Sequence, residues 1–154
     1  VPPNTGYALD EAAVLELAQH PNIVGMKDSG ADAARIQRII ASTPDDFMVF
    51  NGASASVSLA MASGAFGAIT ASTNYIPGAM SEIVTATRKS TSKGFSLQPE
   101  VTAVTRTVET HGIPGVKAAS SAAGLDAGLP RAPFKAVSST LARRLVATAQ
   151  RFDR

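Results

Sequence analysis

The chain reads as an α/β protein, with parallel strands first and an all-helical tail after them. Three observations predict this. Apolar runs within residues 22–27, 47–50 and 66–71 are separated by stretches of helical periodicity rather than by tight turns. Each run is continuously apolar instead of alternating, the pattern of strands covered on both faces and joined in parallel by helical crossovers. Beyond residue 91 no clear strand follows, and the spacing is helical.

The elements follow in order. Residues 1–8 are Pro-rich and loop-like, with Gly6 as a turn residue. Asp10 suits the N-cap of a helix over 11–20 that buries Val14, Leu17 and Ala18, and Pro21 stops it. Residues 22–27 form a buried strand whose last residue is Lys27, and Asp28-Ser29-Gly30 follow as a loop. Asp32 or Ser29 can cap the next helix, where Ala33, Ile36, Ile39 and Ile40 share a face and Arg35 and Arg38 point elsewhere. Phe47-Met48-Val49-Phe50 is the second strand, running into Asn51-Gly52, and a helix over 54–63 ends at Gly64. Residues 66–71 make the third strand, and Pro77-Gly78 open a helix to 91 built on Ile83, Val84 and Ala86.

The tail is predicted as helices over 97–110, 114–123 and 138–151, with residues 129–133 as a semi-rigid connector. The last helix gathers Leu141, Leu145, Val146 and Ala149 on one face and leaves Arg143 and Arg144 outside it. The expected division is therefore an α/β part over 1–91 and a helical region over 92–154.

Composition narrows the function. With 154 residues, 45% hydrophobic and 17% charged, the chain is long enough for a core and is not disordered in composition. A net charge of +2, without Lys/Arg clusters interleaved with aromatics, gives no support to nucleic-acid binding. There is no cysteine, so thiol nucleophiles and thiolate metal sites are excluded. His20 and His111 lie far apart, and His20 suits a helix C-terminus, so no metal site is expected. With no 18-residue apolar run and no signal peptide, the expectation is a cytoplasmic protein without a membrane partner. No G-x-G-x-x-G joins a strand to a helix, and Gly64-Ala65-Phe66-Gly67 precedes a strand, where glycines serve close packing.

One residue stands out chemically. Lys27 ends an apolar strand and faces a small polar loop, and partial desolvation of an amine favours its neutral, nucleophilic form. The competing reading is a solvated rim lysine.

The ordered motifs decide between them. Val1-Pro2-x-Asn4-Thr5-Gly6, Val24-Gly25-Met26-Lys27-Asp28-Ser29-Gly30, Phe50-Asn51-Gly52 and Gly67-Ala68-Ile69 through Asn74 run in sequence, followed by His111-Gly112-Ile113-Pro114-Gly115-Val116-Lys117 and Pro130-Arg131-Ala132-Pro133. Together they resemble the C-terminal half of the dihydrodipicolinate synthase/N-acetylneuraminate lyase family of class I aldolases. The resemblance implies the end of a (β/α)8 barrel, from the loop after the fifth strand through the eighth helix, plus a helical appendix. Within the family the motifs look most like 4-hydroxy-2-oxoglutarate aldolases. Asn4 stands where dihydrodipicolinate synthases usually carry arginine, and Asp28-Ser29 where they tend to carry Glu-Ala.

What the resemblance implies is a pyruvate-dependent lyase that forms a Schiff base on Lys27 and needs no cofactor or metal. Its substrate would be a 2-oxo acid, pyruvate or 4-hydroxy-2-oxoglutarate. Ser29, Gly52, Asn4 and the backbone carbonyl of Ile69 are the expected substrate-binding positions; the Ile69 side chain by itself reads as core. The family's proton-transferring tyrosine and its carboxylate-binding Thr/Ser pair are expected before Val1, and Tyr7 is out of register for the former. These 154 residues alone are thus expected to be inactive, with a homotetramer expected of the full-length protein. The alternatives are a 4-hydroxy-tetrahydrodipicolinate synthase of lysine biosynthesis, or a non-catalytic half-barrel that binds a 2-oxo acid or another subunit.

Overall fold

The computed structural model describes Val1 and residues 5–152. In order, its helices and strands are α1 (Glu11–Leu17), β1 (Gly25–Asp28), α2 (Ala33–Ser42), β2 (Met48–Asn51), α3 (Val57–Ala62) and β3 (Gly67–Ala68), then α4 (Pro77–Lys89), α5 (Thr91–Glu109), α6 (Gly112–Ala119) and α7 (Ser139–Phe152). Short 3-10 turns lie at Ser54–Ser56, Ala71–Asn74 and Ser120–Ala123. The strands pair in parallel in the order β1-β2-β3, with Lys27 opposite Phe50 and Phe50 opposite Gly67.

Local chemistry sets the boundaries. Asp10 Oδ1 accepts from the Ala13 N–H at 2.7 Å and caps α1, and Asp32 Oδ1 accepts from the Arg35 N–H at 3.0 Å and caps α2. Each such cap contributes about 1 kcal/mol. Pro77 sits in the first turn of α4, where its missing N–H would have no helical partner anyway.

Several boundaries depart from the sequence expectation, β1 among them, which runs over Gly25–Asp28 rather than 22–27. α1 ends at Leu17 rather than at 20, and Leu17 is exposed. The third strand shrinks to two residues because its ladder reaches only Phe50 and Asn51 of β2. α5 starts at Thr91, six residues early, with Gly94 and Pro99 inside it. Both are poor helix formers, yet packing overrides propensity. Gly94 lets α5 close on α4, since a Cβ there would stand 2.7 Å from Thr87 Cβ.

Helices α2 and α3 pack on β2 and cover one face of the sheet, and α4 packs against α3 behind them. Toward them point Asp28, Val49 and Asn51, all buried, over Ile36, Ile39, Val57, Met80 and Ile83. The same core runs on into Val101, Val108, Leu145 and Ala149, where α5 and α7 close it. Leu145 and Ala149 thus sit where the spacing put them, with Arg143 and Arg144 exposed.

The opposite face is bare among the described residues, which corrects the expectation of a buried strand ending in a partly desolvated lysine. β1 is an edge strand, Val24 is 63% exposed, and Lys27 is exposed. The residues alternating with the buried set, including Lys27 and Phe50, face no helix. Among the described residues no helix is long and apolar enough to cross a membrane.

Candidate active site

The site is assembled at the C-terminal ends of β1 and β2. Parallel pairing brings the end of β1 beside the Asn51-Gly52 turn, and the Gly52 N–H donates to Asp28 O at 2.6 Å. Gly52 then lies against two side chains of the neighbouring strand end. A Cβ built on it would meet Ser29 Oγ and would stand 2.5 Å from Lys27 Cε. Only a residue without a side chain permits this approach.

Ser29, two residues beyond Lys27, shares its side of the chain. Its Oγ is buried and has no hydrogen-bond partner. The helix-cap reading of Ser29 falls away, because Asp32 does the capping. A buried unsatisfied hydroxyl costs about 1–3 kcal/mol, so this one carries a cost that no contact within the described chain offsets.

Sequence reasoning missed what holds this segment. Asp28, 7% exposed, accepts from Arg35 Nε at 2.8 Å through Oδ2 and from the Gly30 N–H at 2.7 Å through Oδ1. Arg35 Nη2 also donates to Leu9 O at 2.7 Å, and Nη1 lies 3.9 Å from Glu11. Arg38 forks onto both carboxylate oxygens of Glu11, and that hydrogen bond holds the Glu11 carboxyl below its ordinary range. The position of both arginines off the apolar stripe of α2 was the only available signal.

A cleft of about 400 Å³ opens beside this cluster, walled by Lys27, Ser29 and Arg35 on one side and by Thr5, Tyr7 and Leu9 on the other. Tyr7, 65% exposed, is a wall residue of the cleft. Gly6 turns the chain there with φ +68°, as its turn role predicted.

Among the described residues, one of the sequence-predicted site positions is not brought in. Ile69 lies just past β3, two strands from Lys27 and so about 10 Å away at normal strand spacing, with its N–H bonded to Asn51 O. Its side chain is 49% exposed rather than core, because it falls at the uncovered face. Asn4 lies outside the described residues. His20 has a structural role, but through a turn: its Nδ1 accepts from the Asn22 N–H at 3.2 Å.

A second polar cluster escaped the sequence altogether. Glu109 Oε1 at the end of α5 accepts from Ser54 Oγ at 2.6 Å and from Tyr75 OH at 3.0 Å, and Ser72 Oγ joins Ser54 and Thr70 at 2.9 and 2.8 Å. Burial, then the Glu109 charge and its hydrogen bond, push the fully buried Tyr75 hydroxyl far above the ordinary tyrosine range. The cluster ties the helical tail to the turns that follow β2 and β3.

The model of the dihydrodipicolinate synthetase family matches residues 1–152. The chain belongs to that family. It is 31% identical over 156 aligned residues to the 4-hydroxy-tetrahydrodipicolinate synthase of an Exiguobacterium species, covering 99% of this chain and 53% of that protein. Among solved structures of the family, the dihydrodipicolinate synthase of Bacillus anthracis superposes with a TM-score of 0.86 at 29% identity, over 97% of this chain and 52% of its own. That of Acinetobacter baumannii, solved with pyruvate bound, gives 0.84 at 27%, over 97% and 53%. This family member therefore spans about half the length of the relatives it matches, and its three parallel strands with their helices correspond to part of the family's (β/α)8 barrel. Family membership makes it part of a lyase/aldolase lineage. The resemblance to 4-hydroxy-2-oxoglutarate aldolases in particular finds no counterpart in these relatives.

Proposed function

We propose that the chain is the C-terminal part of a pyruvate-dependent (β/α)8 lyase acting through an imine on Lys27, with residues 1–91 supplying barrel and 92–154 the appendix. The convergence of Lys27, Ser29 and Gly52 at one strand end carries this reading. It is the face on which barrel enzymes keep their active sites.

In the proposed reaction the neutral Lys27 amine adds to the ketone carbon of pyruvate, and water leaves to give a protonated imine. That cation accepts the electron pair of the adjacent C–H bond as a base takes the proton, giving an enamine. The enamine carbon attacks the carbonyl of a second substrate, the new alkoxide takes up a proton, and water then releases the product from Lys27. Run backwards, the same steps cleave a carbon–carbon bond. Ser29 Oγ would hydrogen-bond the hydroxyl or carboxylate of the second substrate, and Gly52 would leave the room that the lysine needs. The backbone carbonyl of Ile69 and the Asn4 side chain would contribute at the rim.

The relatives' names favour 4-hydroxy-tetrahydrodipicolinate synthase, for which the second substrate would be aspartate semialdehyde. A second reading, 4-hydroxy-2-oxoglutarate aldolase, rests on Asn4 and on Asp28-Ser29 beside the lysine. A cytoplasmic homotetramer completes the proposal.

The test takes the complete polypeptide encoded by the reading frame, adds pyruvate and a hydride reductant, and locates the adduct by peptide mass. A pyruvate-derived adduct on Lys27 is expected, and its absence from folded protein overturns the reading. Turnover of aspartate semialdehyde plus pyruvate against that of 4-hydroxy-2-oxoglutarate then separates the two activities.

A further inference from the structure

Among the described groups near the strand end, Arg35 makes contacts that span both walls of the cleft. Its Nε pairs with Asp28 Oδ2 at 2.8 Å on the β1 side, and its Nη2 donates to Leu9 O at 2.7 Å on the loop side. Asp28 uses its other oxygen to fix the Gly30 N–H at 2.7 Å, so Lys27 and Ser29 stand on either side of a residue clamped at both carboxylate oxygens. The pair is also sheltered: Arg35 is 19% and Asp28 7% exposed, so water competes weakly for it. A planar guanidinium can serve two acceptors in different directions at once, which an ammonium cannot do with the same geometry. Lys27 itself is an exposed side chain on a strand that, among the described residues, is paired on one side only, so beyond the β2 ladder its placement depends on what holds Asp28 and the following loop.

We infer that Arg35 is a positioning residue: through Asp28 it sets the Lys27–Ser29 segment, and through Leu9 it sets the distance of the facing loop. The inference rests on Lys27 being the imine-forming amine, and Arg35 touches no substrate in it.

The experiment compares pyruvate trapping by hydride in the complete polypeptide and in its R35A, R35K and D28N variants, following both the rate and the final yield of adduct. R35A should trap about tenfold to a hundredfold more slowly at saturating pyruvate, as misplacement of a reacting group does. Its half-saturating pyruvate concentration should stay within about twofold, and its yield should still reach one adduct per chain. R35K, which keeps the charge beside Asp28 but loses the second arm, should recover part of the rate.

A wild-type rate in R35A overturns the inference while leaving Lys27 in place. A lowered yield at an unchanged rate also overturns it, since that marks loss of folded protein only. Should R35A not fold, R35K and D28N decide, and wild-type rates in both overturn it. Failure of the wild-type protein to form any adduct overturns the Lys27 reading itself, and this inference with it.

Discussion

Lys27 and Gly52 approach so closely that no side chain fits between them as they stand: a methyl group on Gly52 would sit 2.5 Å from Lys27 Cε. Gly52 has no left-handed backbone to explain its identity, since it is absent from the positive-φ glycines. Its role is to leave room. Gly52→Ala should therefore push Lys27 and Ser29 aside, lowering the rate of imine trapping by about tenfold or more. Overpacking should also cost about 1–3 kcal/mol. Urea melts alongside trapping kinetics check both, and an alanine variant with wild-type kinetics would show that the lysine is not held where the geometry has it.

Lys27 contributes little to folding, because it is exposed and forms no hydrogen bond or ion pair among the described residues. Lys27→Arg should change stability by no more than about 0.5 kcal/mol while abolishing the pyruvate adduct. A large drop in thermal midpoint would mean the side chain has a structural role instead.

Ser29 makes the opposite demand. Its buried hydroxyl has no partner, so Ser29→Ala should be neutral or stabilising by up to about 1 kcal/mol. If the hydroxyl is kept for ligand, the KM for the second substrate should rise about fivefold, the equivalent of one neutral hydrogen bond. Pyruvate trapping alone should be nearly unaffected. A variant that is both less stable and kinetically normal would return Ser29 to the structural scaffold.

Alkaline pH should loosen the junction between sheet and tail. The folded state holds the Tyr75 hydroxyl protonated above the ordinary tyrosine range, by burial first and by Glu109 second. Because the folded pKa is raised, the stability is fully present below pH about 10, the unfolded tyrosine value, and is lost as pH rises beyond it. The slope is at most about 1.4 kcal/mol per pH unit. Chemical denaturation between pH 8 and pH 11 should show this decline in the wild type and a shallower one in Tyr75→Phe. Equal slopes would place the alkaline sensitivity elsewhere.

Much of this was legible in one dimension. Continuous apolar runs separated by helical spacing determine parallel α/β alternation, since only a crossover can join parallel strands. Aspartates ahead of apolar stripes determine where α1 and α2 begin, and the order of motifs points to Lys27. Tertiary structure decided the rest. Pro99 and Gly94 argue locally against a helix that packing nevertheless imposes. Lys27 and Gly52 are 25 positions apart and become neighbours only because β1 and β2 pair in this register. The Arg35–Asp28–Leu9 clamp and the Glu109–Ser54–Tyr75 cluster join residues whose types say nothing of their partners. Whether a strand is buried is likewise no property of its own residues: the apolar run ending in Lys27 predicts burial, yet among the described residues nothing covers one face of β1, because burial depends on what packs against it.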